Sequence, residues 1–391
     1  MRRIAPSMLL VACAAEPPAP ADTGSPGPVG PPYQELAAQG IDRYMGAFEA
    51  AEVEEMDGVV HHTFARSDGP QCLRGGQFRA MTRDLPASGD LVIFLQGGGL
   101  CYSELCIAIT RAPPGIPDLD LLDPAGPTNP VAGWDQLYVP YCDGSLFAGD
   151  TDIDDDGDGA VDRHHRGLMN LSAALGVATA SFPDTSRVVL AGSSGGGYGT
   201  LTAAVLTRFA FPDAEIAVIN DAGVGLGLGD DPAFVWDVID EFQAHDIVPA
   251  SQASLLDGGH LTPLVGWQLS EDPRLRVSAI SARQDYVISQ MYLGVPGATF
   301  EGWLVDELGK VERAAGGGAG PARFGSFVFP GATHTTLLGD PAGFVDEDSS
   351  YYDAVALILG SMDEVSIGGE TVASWLDGFV SGDPGWGSRA E

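Results

Sequence analysis

The five residues Gly192-Ser193-Ser194-Gly195-Gly196 follow the apolar run Val188-Val189-Leu190 and precede a stretch rich in alanine and leucine. Strand, sharp turn and helix in that order form the context of a nucleophile elbow, which sets a serine on a strained bend between the two elements. The glycines give the bend its backbone freedom and keep Cβ atoms out of the way. An ordinary glycine turn is the competing reading, and the flanking strand and helix weigh against it. Ser194 is therefore the leading candidate for an attacking hydroxyl.

From about residue 88 onward, short apolar runs alternate with helical patterns, as βα units require. Leu91–Leu95 reads as a buried strand running into Gly97-Gly98-Gly99. Gln136–Val139 is a weaker strand before Pro140, and Arg187–Ala191 feeds the elbow. Thr200–Phe209 reads as the elbow's helix, packed closely because Gly196, Gly197 and Gly199 are small. Glu215–Asn220, Leu275–Ser281 and Phe324–Phe329 are further strands. Strands separated by crossovers predict an α/β fold, with a mostly parallel central sheet and helices on both faces. One catalytic domain over residues 33–391 is expected, because single α/β enzymes of this size are common when their loops are long. The acidic tail from Val345 to Glu391 would add helices that close it.

The formal charge of −35, from 54 acidic against 19 basic residues, disfavours nucleic acid, anionic membrane surfaces and polyanionic substrates as partners. General solvation of the surface accounts for it more simply than a charge-coded function. A monomer is expected. Residues 1–13 read as an export signal, since Arg2 and Arg3 precede a short apolar stretch ending Leu10-Val11-Ala12-Cys13. That ending resembles the lipobox of bacterial lipoproteins, which implies lipidation at Cys13 and a place in the cell envelope, with membrane contact only through the anchor. Residues 14–32, rich in Pro, Ala and Gly, suit a flexible tether. Cys72, Cys101, Cys106 and Cys142 remain, an even number in an exported chain with no zinc-type spacing, which argues for disulfides. Of three possible pairings, spacing favours Cys101 with Cys106 and leaves Cys72 for Cys142.

A serine hydroxyl needs a base to take its proton and an acid to hold that base's tautomer. In the α/β-hydrolase order of Ser, then Asp or Glu, then His, the base follows a late strand, and His334 after Phe324–Phe329 fits. His245 and His260 have no strand before them, and His61, His62, His164 and His165 precede the serine. Two acids compete: Asp221 ends the first strand after the elbow helix, and Asp285 follows the next. The common placement favours Asp285. For the developing oxyanion, the amides of the Gly97-Gly98-Gly99 loop and of Gly195 are the candidates.

Gln96-Gly97-Gly98-Gly99-Leu100-Cys101, Pro140-Tyr141-Cys142-Asp143-Gly144, His165-Arg166-Gly167, Gly192-Ser193-Ser194-Gly195-Gly196, Asn220-Asp221-Ala222-Gly223 and His334 resemble successive blocks of the pectin acetylesterase/Notum family. The resemblance runs from Cys72 to His334. It implies an α/β-hydrolase-like fold and a serine carboxylesterase that needs no cofactor for its chemistry and releases short acyl groups from a carbohydrate or a longer acyl chain from a protein. Position by position it implies Ser194 as nucleophile, Asp285 as orienting acid, His334 as base and Gly98, Gly99 and Gly195 as oxyanion donors, together with the two disulfides above. Leu100 stands where the plant enzymes place a tryptophan, and Thr335 where they have a cysteine, so the pocket's shape is not carried over. The negative charge points away from a polyanionic pectin and toward a neutral acetylated glycan or a small ester. A lipase-like or protein deacylase with the same triad is the rival within enzymes, and a non-catalytic calcium-binding surface protein is the rival outside them.

Asp150 to Asp162 alternates aspartates around Gly157 and Gly159. Such spacing gathers carboxylate oxygens on one side of a tight turn, as hard Ca²⁺ requires. The run resembles the loops of thrombospondin type 3 repeats and lacks the closing glutamate of an EF-hand. Asp154, Asp156, Asp158 and Asp162 are the expected ligands of a structural Ca²⁺. A solvated acidic insertion is the plainer alternative.

Overall fold

A computed structural model describes residues 30–67, 69–85, 89–103, 105–316, 322–337 and 358–391. The expected signal, Cys13 and nearly all of the tether lie outside these residues, as does 338–357 of the tail. Among the described residues, no helix is long and apolar enough to cross a membrane. The short helix α1 (Gln34–Gln39) leads into three antiparallel strands, β1 (Glu52–Met56), β2 (Val59–Thr63) and β3 (Arg79–Arg83). β4 (Leu91–Leu95) is followed by a small hairpin, β5 (Gly99–Tyr102) and β6 (Leu105–Ala108), and then by β7 (Asp135–Val139). A second hairpin, β8 (Thr151–Ile153) and β9 (Arg163–His165), carries the aspartate-rich loop at its tip.

Helices and strands then alternate: α2 (Gly167–Ser181), β10 (Arg187–Ser193), α3 (Gly195–Ala210), β11 (Glu215–Asp221), α4 (Pro232–Phe242), α5 (Pro263–Glu271), β12 (Leu275–Ala282), α6 (Gly297–Ala315) and β13 (Phe324–Phe329). The described tail contributes a two-residue pair, β14 (Ser366–Ile367) and β15 (Glu370–Thr371), helix α7 (Val372–Ser381) and the stub β16 (Arg389–Ala390). Ten strands form one sheet in the order β1-β2-β3-β7-β4-β10-β11-β12-β13-β16. It is parallel from β7 to β16 and antiparallel from β1 to β7, so the mostly parallel α/β fold expected from the sequence is present.

The central strands are apolar throughout because both faces of the sheet are covered. In β4, Leu91, Ile93 and Leu95 enter the core on one face, packed with α2, α3, α5 and α6, while Val92 and Phe94 enter the other with Trp375 and Phe379 of α7. Such a strand cannot slip by one residue without exchanging its two faces. β1 is the exception, exposed at all five positions and carrying Glu52, Glu54 and Glu55.

The order of the sheet also creates the site. After β4 the chain passes to β7 on one side, whereas after β10 it passes to β11, β12 and β13 on the other. The crevice beyond the carboxyl ends of β4 and β10 lies at this switch point, where open α/β sheets bind their ligands. Both expected disulfides are formed, Cys72–Cys142 across a separation of 70 residues and Cys101–Cys106 across 5. By loop-closure entropy the longer link is worth about 4 kcal/mol and the shorter about 2 kcal/mol. Denaturant unfolding of Cys72→Ser/Cys142→Ser is thus expected to show roughly twice the loss seen for Cys101→Ser/Cys106→Ser. Equal losses would contradict the entropic account.

Candidate active site

Ser194 sits between β10 and α3 with φ of 55°, a left-handed backbone at a non-glycine residue. That conformation lifts its side chain off the sheet, and the close packing that enforces it is visible in the glycines behind it. A Cβ on Gly196 would run into the Leu95 carbonyl, and one on Gly199 into the Phe147 ring. The helix begins at Gly195, five residues before the sequence pattern places it, because these glycines let α3 settle directly on β4.

Three side chains distant in sequence meet at this bend. The Ser194 Oγ lies 2.7 Å from His334 Nε2, and His334 Nδ1 lies 2.7 Å from Asp285 Oδ2. Asp285 is fully buried and His334 nearly so. A carboxylate only accepts, so Nδ1 carries the proton and Nε2 is left bare toward the hydroxyl. The remaining Asp285 oxygen accepts from the Ile288 amide at 3.0 Å, which fixes the carboxylate's plane.

Asp221, the competing acid, is fully buried but does not touch the imidazole's Nδ1; its carboxylate accepts from Ser193, Thr336 and Leu337. The other histidines are engaged elsewhere. His165 donates from Nδ1 to the Asp143 carbonyl, and burial lowers its pKa to about 4. His62 meets Thr82, His164 meets Asp152, His245 meets Asp240, and the His260 ring accepts from the Gly227 amide. His61 is buried in β2.

The glycine loop after β4 lies against the elbow. The Gly98 nitrogen is 3.6 Å, and the Gly99 carbonyl 3.0 Å, from where a Gly195 Cβ would stand, so any side chain there would fill the gap. Gln96, which sequence reasoning passed over, fixes the loop by accepting from the Tyr141 amide at 3.1 Å through its side chain. Gly195 is the first residue of α3, and the first amides of a helix have no partner within it. The Cys101–Cys106 disulfide clamps the hairpin that continues from the loop.

Beside Ser194 opens a pocket with walls from Leu100, Leu226, Phe234, Val238, Leu261 and Ile288 among others. Its two tyrosine hydroxyls are already spent, Tyr198 donating to the Leu226 carbonyl and Tyr292 to that of Ile107. Away from Ser194 and Gly195 the lining is therefore mostly hydrocarbon, with both tyrosine donors already used. Five of its residues, Leu146, Tyr198, Val238, Ile239 and Leu261, also border a further apolar void behind it. The α4 wall was missed in the sequence because an amphipathic run does not reveal what it packs against.

In the aspartate-rich loop, oxygens of Asp154, Asp156 and Asp162 lie within 4.8 Å of one another. Asp158 does not join them, and its carboxylate accepts from the Ala160 amide instead. Arg163 at the base of the loop pairs with Asp155 at 2.5 Å and with Glu241 of α4 at 2.7 Å. The loop is thereby tied to the helix that walls the pocket.

Residues 122–233 match the family model described as Pectinacetylesterase, a segment that holds Ser194 and Asp221 and ends before Asp285 and His334. No curated protein sequence matches the chain. Among solved structures, the Wnt deacylase Notum from Drosophila is similar, with a TM-score of 0.56 at 15% identity over 84% of this chain and 95% of that one. At that identity the likeness is one of fold.

Proposed function

We propose that this chain, whose residues 122–233 match the Pectinacetylesterase family model, is an exported serine carboxylesterase of the pectin acetylesterase/Notum family acting through Ser194, His334 and Asp285. The observation that carries this reading is the unbroken relay of two 2.7 Å contacts from Asp285 to His334 to Ser194. In the proposed reaction, Ser194 Oγ attacks the ester carbonyl carbon as His334 Nε2 takes its proton. The amides of Gly98, Gly99 and Gly195 stabilise the resulting oxyanion, and His334 then protonates the departing alcohol. Water, deprotonated by the same imidazole, releases the acid from the acyl-enzyme. Labelling by a fluorophosphonate probe at Ser194 tests the assignment, and an unlabelled serine would refute it.

The sequence suggests acetyl as the acyl group, whereas the spent hydroxyls and apolar walls favour a longer hydrocarbon chain in the pocket, with the alcohol left outside. Nitrophenyl octanoate carries six more methylenes than nitrophenyl acetate, and burying half of them at about 0.8 kcal/mol each adds about 2.4 kcal/mol, or roughly fifty-fold in kcat/KM. We expect nitrophenyl octanoate to exceed nitrophenyl acetate by at least about that factor. Equal turnover of the two would return the reading to an acetylesterase.

The two disulfides fit an oxidising, extracytoplasmic location. A lipid anchor at Cys13 and a monomeric state remain part of this proposal. Ca²⁺ would be held by Asp154, Asp156 and Asp162, where three carboxylates converge. Its contribution would be structural, through the neutralisation of their mutual repulsion. Added Ca²⁺ is expected to raise Tm and EDTA to reverse the rise, with Asp156→Asn/Asp162→Asn indifferent to both. An unchanged Tm in the parent protein would identify the loop as a solvated insertion.

A further inference from the structure

Asp221, the runner-up for the triad, occupies a place that the relay does not explain. It is the last residue of β11, and its carbonyl accepts from the Ser194 amide at 2.8 Å. Its fully buried carboxylate accepts from Ser193 Oγ at 2.8 Å, from the Thr336 amide at 2.9 and 3.1 Å through both oxygens, from Thr336 Oγ1 at 3.1 Å and from the Leu337 amide at 3.1 Å. Ser193 immediately precedes the nucleophile, and Thr336 follows the base by two residues. One carboxylate thus holds the neighbours of both groups while touching neither Ser194 Oγ nor His334 Nε2. The segment carrying His334 belongs to no strand or helix of the sheet; its backbone is held by the Ile358 carbonyl, which accepts from His334 and Thr335, by the Gly360 amide, which donates to the Thr335 carbonyl at 2.8 Å, and by the Tyr286 amide, which donates to the Ala332 carbonyl at 3.1 Å, whereas its side of the elbow is reached through Asp221.

We propose that Asp221 is a positioning residue whose ionised carboxylate clamps the His334 segment to the nucleophile elbow and so sets the distance between base and hydroxyl. The inference rests on the reading of Ser194 and His334 as nucleophile and base. Ionisation matters because a carboxylate is purely an acceptor, and every group around it here can donate. Protonation would turn one oxygen into a donor facing two amide N–H groups and so loosen the grip on the loop. Burial raises the Asp221 pKa to about 6, with its hydrogen bonds and the charge of His334 working in the opposite direction. His334 is the titratable group that bears on it from the facing loop, lowering its pKa when the imidazole is protonated; β10 presents Ser193, and β12 presents Ile280 at the paired position.

The signs of activity and stability are opposite. Activity belongs to the anion, so it is present above about pH 6 and lost as pH falls through that value. Because the folded pKa is raised from 3.8, the stability contribution of this group is fully present below the unfolded value and is lost as pH rises through about 6. Between these limits acid inactivates the enzyme while this group's own contribution favours the fold.

The test is the pH dependence of kcat and KM for an activated ester, measured with circular dichroism at each pH, on the full chain and on Asp221→Asn, Ser193→Ala and Thr336→Val. Asp221→Asn is expected to lower kcat about 100-fold with KM changed much less, as for a base displaced by about an ångström. Ser193→Ala and Thr336→Val each remove one donor to the anion, so each should move the acid limb of kcat upward by roughly 0.5–1 pH unit. A merely structural role would lower Tm without moving that limb. Acid limbs unmoved in both donor variants, or a parental kcat in Asp221→Asn, would overturn the proposal. If Asp221→Asn does not fold, the two donor variants decide. Failure of the parent protein to label at Ser194 would instead refute the esterase reading, so the two failures are distinguishable.

Discussion

Ser194→Ala is expected to lower kcat/KM by about 10⁴- to 10⁶-fold while leaving the fold intact. The substitution removes a single hydroxyl at a half-buried position, where it is hydrogen-bonded to His334 Nε2. The left-handed backbone at 194 is imposed by the strand, the helix and the glycines between them, and alanine inherits it unchanged. Tm should therefore stay within a degree or two, and fluorophosphonate labelling should vanish. Residual turnover about 10³-fold above water would remain from the oxyanion amides and the pocket. A variant that kept most of its activity would exclude Ser194 as nucleophile, and a parent with no activity on any ester would favour the non-catalytic reading.

The second large effect is expected from Asp285→Asn, with kcat reduced about 10³- to 10⁴-fold. An asparagine fits the same space, and the Ile288 amide can still donate to its carbonyl oxygen. Its NH₂ then faces Nδ1, which must become the acceptor, and the imidazole proton moves to Nε2, where it confronts the serine hydroxyl. The base is thus present but in the wrong tautomer, so the loss should fall on kcat with little change in KM and no loss of labelled protein on folding assays. The comparison with Asp221→Asn separates two buried carboxylates, one that sets a tautomer and one that sets a position. Equal effects of the two substitutions would remove that distinction.

What could be read from the chain was local. The elbow, the apolar strands around it, the histidine after the sixth parallel-type run and the Cys101–Cys106 disulfide are written in short stretches whose residue types admit few alternatives, and Cys72–Cys142 followed as the remaining pair. The choice between Asp221 and Asp285 rested on chain order and the family resemblance, and the surroundings of Asp221 were invisible, because its partners Thr336 and Leu337 are more than a hundred residues away. The antiparallel strands β1 to β3 escaped for a similar reason: Glu52–Met56 has no apolar face, and only pairing with β2 makes it a strand. The pocket was illegible because it is a surface shared by the elbow, α4 and the loops near Leu226 and Leu261, none of which implies the others in sequence. The convergence of Asp154, Asp156 and Asp162 without Asp158 is a property of the folded turn that alternating spacing does not specify.

The two rims of the sheet carry one more consequence. One rim is a row of glutamates in full contact with water, and the other is a stub only two residues long. A second copy arriving to extend the sheet would meet like charge at the first and almost no backbone to zip against at the second. Growth of ribbons or fibres by strand addition is thereby discouraged at both ends, which suits an enzyme whose broad, heavily apolar interior would otherwise be a hazard at high local concentration.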